Sequence, residues 1–367
     1  MAKILKKTNI ESFVKIYNKL CPDDEYQSGI YPKTNRIIAI GDLHGDIILA
    51  VKILKMAGVI RIANGKIKWV GGSTFVVQLG DQIDRCRPLG KFLCSNKKAT
   101  YNDEASDIKI LKLYTEMNKL ARKDGGAVIS LLGNHEILNV LGHMEYVSYA
   151  GIQDFKKYKD PKDANKKFTS PESARIHSFR PGNEYGSMLG CTRLSAVVIG
   201  SNLFVHAGLV DDFVDKIGIK NVSDLETLNI VMKKWLLGLI DEESIFDILY
   251  NETSSIFWTR NLGKLPPHIK PDRKECSKNL DNVFKLFNIN GMIVGHTPQF
   301  IYSNDINSTC GGKVIRVDNG SSNAFNYTDD DFTRTGQPNK FRKMQYLEII
   351  NDNQYYVCDK NSKRRLM

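Results

Sequence analysis

The 367-residue sequence contains no C-x-x-C pair, no uncharged apolar run long enough to span a bilayer and no internal repeat. The absence of paired cysteines excludes a zinc ribbon. Cys21, Cys86, Cys94, Cys191, Cys276, Cys310 and Cys358 are odd in number and show no framework spacing. They predict no structural disulfides, Cys86 as a packed thiol, and a reducing, cytoplasmic compartment. The segment nearest to a membrane span, Leu194 to Val210, carries Ser195, Ser201, Asn202 and His206 and an internal turn, so no membrane association is expected. The N-terminus, MAKILKKTNIESF, has charge but no apolar stretch behind it, which argues against a signal peptide. Acidic residues are also in deficit, 41 against 52 basic ones, for a net charge of +11. That balance fits an anionic partner such as nucleic acid or an anionic substrate, or simply a solvated basic surface.

What is present is a recurring pattern of short apolar runs, each followed at once by a polar cluster. The runs are Ile37–Ile40, Phe75–Leu79, Ala127–Leu132, Ala196–Ile199, Leu203–Val205, Met292–Val294 and Val314–Val317. Most are β-branched and bounded by Gly, Asn or Asp, as buried strands are. Helical patterns lie between them. Asp107 to Lys123 places Ile110, Leu113, Tyr114, Met117, Leu120 and Ala121 on one face and stops at Gly125-Gly126. Ser223 and Glu226 read as a capping box opening a helix to about Gly238, and Leu280 to Phe287 as a shorter helix. Alternating strands and helices predict an α/β fold with its ligands at the strand ends. A helical extension over 1–35, a main domain over 36–350 and a tail over 351–367, frayed from Asn361 onward, are expected. Arg87 to Ser106 reads as a polar loop. Tyr146 to Gly186 reads as an inserted cap or substrate rim.

Five clusters follow strands in order: Gly41-Asp42-Leu43-His44-Gly45, Gly80-Asp81-Gln82-Ile83-Asp84-Arg85, Gly133-Asn134-His135-Glu136, Val205-His206-Ala207-Gly208 and Gly295-His296-Thr297. A single Gly-Asp after a strand is ordinarily a turn, and a lone histidine there is ordinarily a hydrogen-bonded structural residue. Together, the clusters deliver carboxylate, imidazole and amide oxygen without a thiol, a donor set suited to Mn, Fe or Zn. His143, His177 and His268 stand outside the clusters and read as surface or core residues.

The ordered motifs GDLHG, GDQIDR, GNHE, VHAG and GHT resemble the calcineurin-like metallophosphoesterases, and within them the phosphoprotein phosphatase superfamily. The resemblance implies a β-sandwich flanked by helices, with a dinuclear metal site at the strand ends. It assigns Asp42 and His44 to one metal, Asn134, His206 and His296 to the other, and Asp81 as the bridge. It implies metal-bound hydroxide as the nucleophile for in-line attack, with no covalent intermediate. His135 becomes the general acid, oriented by Asp84. Arg85 binds a phosphate oxygen, and Arg260 in IFWTR is similar to a second phosphate-binding arginine.

Cys86 stands after Asp84-Arg85 and Leu132 before GNHE, where most eukaryotic members have glycine and arginine. GHTPQ and GGKVIRVDNGSSNAF resemble instead the bacterial-like branch, especially its Shewanella-like and Rhizobiales-like groups. The expected activity is hydrolysis of a phosphorylated protein or peptide at Ser/Thr or Tyr. The alternative is hydrolysis of dinucleoside polyphosphates or RNA ends by the same two metals.

Overall fold

The computed structural model describes residues 9–88, 92–251 and 253–366. The N-terminal MAKILKKT, three residues of the polar loop over 87–106, residue 252 and the last residue of the tail lie outside the described residues.

Every apolar run becomes a strand, and the strands form two facing sheets. One has seven strands, in spatial order Lys363–Arg365, Gln354–Cys358, Tyr346–Ile350, Arg36–Ile40, Phe75–Gln78, Ala127–Leu131 and Arg193–Leu194. The other has six: Ile30–Tyr31, Ala196–Ile199, Asn202–Val205, Gly291–Val294, Val314–Arg316 and Asn307–Thr309. Alternate residues of a strand point to opposite faces. Ile37 and Ala39 therefore join Val77, Ile129, Phe204, Ile293 and Ile315 in the core between the sheets. Ile38 and Ile40 pack outward under the helices Ile47–Met56 and Asp107–Lys123. The outer face of the six-stranded sheet is covered by a larger cluster that includes Leu228, Trp235, Leu280 and Phe287. The result is a sandwich with helices on both outer faces.

The central strands are parallel. Ile38 pairs with Val76, and Val76 with Val128. In the second sheet Ile293 pairs with Phe204 and with Ile315. The C-terminal ends of the five motif-bearing strands, three in one sheet and two in the other, thus emerge along one edge of the sandwich.

The cysteine expectation is corrected. Cys21–Cys191, Cys86–Cys94 and Cys276–Cys310 stand at bonding distance with Cα separations of 5.6, 5.8 and 5.6 Å, and Cys358 alone is free. Cys21 and Cys191 lie 170 residues apart, so folding rather than sequence spacing brings them together. Cys86 is a disulfide partner rather than a packed thiol, and cysteine usage no longer argues for a reducing compartment. No helix among the described residues is long and apolar enough to cross a membrane.

Three other expectations change. Residues Lys363–Arg365 extend the sheet beside Gln354–Cys358 instead of fraying, and Lys363 Nζ lies 2.5 Å from Glu348. The helix Ser223–Leu236 starts where expected but has no side-chain cap: Val222, not Ser223, holds the cap position, and Glu226 turns away to accept from Gly29 N at 2.6 Å. The helix ending at Phe287 begins earlier, at Lys274. The N-terminal helix Ile10–Leu20 buries Phe13 and Tyr17 against Ile230 and Leu237.

Candidate metal centre

The loops after the strands interlock through their backbones. Leu43 N and His44 N both donate to Asp81 O, at 3.0 and 2.9 Å, and Gly45 N donates to Gln82 O at 2.9 Å. Close approach explains two of the glycines: a Cβ on Gly133 would overlap Asp81 Oδ1, and one on Gly295 would overlap Asp42 Oδ1. Four functional residues hold positive φ, namely His44 at 43°, Asp81 at 50°, Asp84 at 71° and His296 at 65°. Non-glycine residues take this conformation at a cost, and such strain concentrates at sites where the fold over-determines the backbone.

The six residues expected as ligands are brought together and buried. Asp81 sits at the centre. Its Oδ2 faces His44 Nε2 at 3.9 Å and His135 Nε2 at 3.9 Å; its Oδ1 faces His206 Nε2 at 3.4 Å. Asp42 Oδ2 lies 3.8 Å from His44 Nε2. Asn134 Oδ1 lies 3.0 Å from His206 Nε2 and 2.8 Å from His296 Nδ1. Two donor groups, His44–Asp81–His135 and Asp81–His206–His296, thus share one carboxylate.

The imidazoles are oriented from behind. His44 Nδ1 faces Ile83 O at 3.3 Å, His206 Nδ1 faces Leu79 O at 2.6 Å, and His296 Nε2 faces Trp258 O at 3.0 Å. A carbonyl facing one ring nitrogen places the proton there and leaves the other nitrogen's lone pair pointing inward, which is how metal-binding histidines are held.

Charge tells the same story. Burial, with Asp318 and Asp81 nearby, pushes the Asp42 carboxyl well above its usual range. Burial also opposes ionisation of Asp81, yet the imidazoles of His206, His135 and His44 hold it well below. Burial drives His44 and His296 well below the ordinary histidine value, so both are neutral donors. Burial raises Asp318 to about 6, and its Oδ2 is buried without a hydrogen-bond partner. Carboxylates crowded into a dry site require cations. The donor types, the inward lone pairs and the orphaned oxygen all fit divalent metal ions.

Beside this cluster, His135 Nδ1 lies 2.8 Å from Asp84 Oδ2. Asp84 Oδ1 accepts from Asn139 Nδ2 at 2.8 Å. Asn139 Oδ1 in turn accepts from Arg175 Nε at 2.9 Å, and Arg175 Nη2 reaches Asp107 at 2.8 Å. Arg175 is fully buried on the helix Pro171–Phe179, so this part of the 146–186 segment packs behind the His135–Asp84 pair. Only the start of that segment, Tyr146, lines the cavity over the site. Glu136 holds the loops in place by accepting from Asp81 N, Gln82 N and Gly133 N at 2.9, 2.8 and 2.7 Å.

The cavity has a volume of about 800 Å³. Tyr146, Trp258, Phe300 and Phe325 form its aromatic wall, and Arg87, Arg260 and Lys264 supply positive charge. Arg260 Nη1 donates to His296 O at 3.1 Å, so this arginine stands beside the candidate ligands. Arg85 does not. It is buried beneath the loop, with Nη1 3.2 Å from Asp46 Oδ2 and Nη2 donating to Asn102 O at 3.3 Å. Asp46 also caps the helix Ile47–Met56 by accepting from Leu49 N at 2.9 Å. Of the other histidines, His143 lines the cavity and His177 Nε2 pairs with Asp160 at 2.7 Å.

Sequence reading missed Glu136, Asn139, Arg175, Asp318 and Arg87. Glu136 and Asn139 lie one and four residues after His135 on one short helix, and Asp318 follows a strand as the ligands do. Those positions were the available signals. Arg175 carried none, because 91 residues separate it from Asp84.

Known proteins resemble this chain in sequence and in fold. The family model for calcineurin-like phosphoesterases matches residues 35–300. An uncharacterised protein of Acanthamoeba polyphaga mimivirus is 35% identical over 254 residues, covering 66% of this chain and 95% of that one. Shewanella-like protein phosphatase 2 of Arabidopsis thaliana is 27% identical over 321 residues, covering 80% of this chain and 73% of that one. Among solved structures, a cold-active protein tyrosine phosphatase of a psychrophilic Shewanella species superposes with a TM-score of 0.60 at 18% identity, covering 93% of this chain and 83% of that one. At that identity the likeness is one of fold.

Proposed function

We propose that this chain, which belongs to the calcineurin-like phosphoesterase family and is a phosphoester hydrolase, acts as a metal-dependent protein phosphatase. The observation that carries the reading is Asp81, whose two carboxylate oxygens face two separate groups of donors while the His135–Asp84 pair stands alongside.

Asp42, His44 and Asp81 would hold one ion, and Asp81, Asn134, His206 and His296 the other. Oxygen and imidazole donors without thiolate favour Mn, Fe or Zn. When bound, such ions lower the pKa of water and polarise phosphoryl oxygens. His135 Nε2 is placed to give a proton to the departing alkoxide or phenoxide, and Asp84 fixes the ring through Nδ1. Arg260 is placed to bond a phosphoryl oxygen from the cavity side. In this reading water, not a side chain, is the nucleophile, and the reaction has no covalent phospho-enzyme.

The relative named as a Shewanella-like protein phosphatase supports a phosphoprotein substrate. The aromatic wall favours phosphotyrosine over phosphoserine and phosphothreonine, since an aryl ring can pack against Tyr146, Trp258 and Phe325. A metal-supplemented panel of phosphotyrosine, phosphoserine and phosphothreonine peptides, diadenosine tetraphosphate and capped RNA tests this. The highest kcat/KM is expected on phosphotyrosine peptides. A large advantage for the nucleotides would replace the phosphatase reading with pyrophosphohydrolysis.

A further inference from the structure

Two arginines follow Asp84 within three residues, and the fold sends them in opposite directions. Arg85 turns inward, where its Nη1 stands 3.2 Å from Asp46 Oδ2, its Nη2 donates to the Asn102 carbonyl and its Nε is buried without a hydrogen-bond partner, and it does not line the cavity. Arg87 turns into the cavity beside His44, Asp81 and His135.

Arg87 has the features of an anion grip. Its Nη1 donates to the backbone carbonyls of Asp84 and Cys86, at 3.2 and 2.8 Å. The guanidinium carbon sits 4.8 Å from the Phe325 ring centre and 5.9 Å from that of Tyr146, so aromatic faces hold the plane. The backbone beneath it is anchored on both sides: Cys86 N donates to Tyr146 O at 3.1 Å, and Cys86 Sγ is bonded to Cys94. Burial pulls Arg87 below its ordinary value, and Asp81, Asp84, Asp318 and Asp42 are the charges that counter it. Among the described residues, no carboxylate lies within ion-pairing distance of Arg87. Divalent ions held by Asp42 and Asp81 would take up the charge of two of these carboxylates. A partly desolvated guanidinium is then left facing the place where a phosphoryl group must sit. Arginine's planar fork matches phosphoryl oxygens, and Arg260 lines the same cavity.

We propose that Arg87, rather than Arg85, binds the phosphoryl oxygens of the substrate, aimed by the Asp84 and Cys86 carbonyls and clamped between Phe325 and Tyr146. The assignment rests on the phosphoester reading of the site, and it names a different residue from the one expected from the GDQIDR motif.

The test is calorimetric titration of inorganic phosphate into the full-length, Mn-loaded protein, with metal content and thermal midpoint measured for each variant. Loss of a charge-assisted, forked contact is expected to weaken phosphate binding about 10–100-fold in Arg87→Ala. Arg87→Lys, which keeps the charge and loses the fork, is expected to fall between Arg87→Ala and wild type. Arg85→Lys is expected to lower the thermal midpoint, as loosening a buried ion pair does, and to weaken phosphate less than Arg87→Lys. The proposal is overturned if Arg87→Ala retains its metals and midpoint yet binds phosphate within about twofold of wild type. It is equally overturned if Arg85→Lys weakens phosphate more than Arg87→Lys at unchanged midpoint. The titration needs no turnover. A chain that hydrolysed no phosphoester would therefore overturn the proposed function while this binding test still returned its own answer.

Discussion

His135 shows how much a single side chain can be asked to do here. It directly follows a ligand, its Nδ1 is tied to Asp84 at 2.8 Å, and its Nε2 points at the centre. If it supplies the leaving-group proton, His135→Ala slows turnover by roughly 10²–10⁴-fold on an alkyl phosphoester with the metals retained. The loss shrinks on a p-nitrophenyl ester, whose leaving group needs little protonation. Equal loss on both substrates, measured as kcat, would rule out the acid role. At this scale the ligands were legible because five of the six are the first polar residue after a strand, and His44 follows Asp42 two positions on. Arg85 and Arg87 were not separable by motif. The left-handed backbone at Asp84, φ 71°, redirects the chain, and nothing in the order Asp-Arg-Cys-Arg shows which guanidinium then faces the cavity.

Strands were the most legible elements, because a β-branched run ending at glycine has few other uses in a fold of this size. Helix starts were less so. Ser223 and Glu226 have capping-box spacing, but Glu226 is claimed by Gly29 N and the Tyr26 hydroxyl from a distant segment. Tertiary partners outcompete local ones whenever they are nearer, and sequence spacing cannot reveal them. The helix Ser223–Leu236 carries a testable consequence. Its Lys233 is buried, with Nζ donating to Gly190 O at 3.0 Å and Arg193 O at 2.9 Å beneath the Tyr17 ring. Burial lowers its pKa to about 7. Between that value and the unfolded lysine value, near 10.4, the unfolded chain binds a proton that the folded one has released. Stability therefore rises with pH across this window and falls as pH drops through about 7. Denaturant unfolding of the metal-loaded protein between pH 7 and 9 measures the slope. Lys233→Met is expected to flatten it, whatever that substitution costs in absolute stability.

The disulfides act on the same scale. Cys21–Cys191 ties the N-terminal helix Ile10–Leu20 to the segment that carries the Lys233 acceptors. The sequence hid this link because a pair 170 residues apart leaves no spacing to read.

For the whole molecule, the decisive fact is convergence. Two sheets with parallel central strands place five loop clusters at one edge, and only their combination makes a site. Each cluster alone would be a turn. The fold class could be read from the alternation of runs and helices, and the site from the order of the clusters. The network behind them could not, because Arg175 reaches Asn139 and Asp107 from a segment that reads as a surface insertion. A centre of buried carboxylates also couples metal to stability. Chelation with EDTA is expected to lower the thermal midpoint, with ions at a thousandfold excess over Kd contributing about 4 kcal/mol. Adding Mn back is expected to restore it. An unchanged midpoint on chelation would mean that the folded chain does not hold metal.

The most direct measurement is electron paramagnetic resonance of the protein titrated with Mn(II), alongside Asp81→Asn. A shared Asp81 carboxylate predicts saturation at two ions per chain and a spin-coupled pair in the wild type. In Asp81→Asn it predicts loss of that coupling together with loss of hydrolysis. Saturation at a single ion with an uncoupled six-line signal in the wild type would contradict the two-metal account.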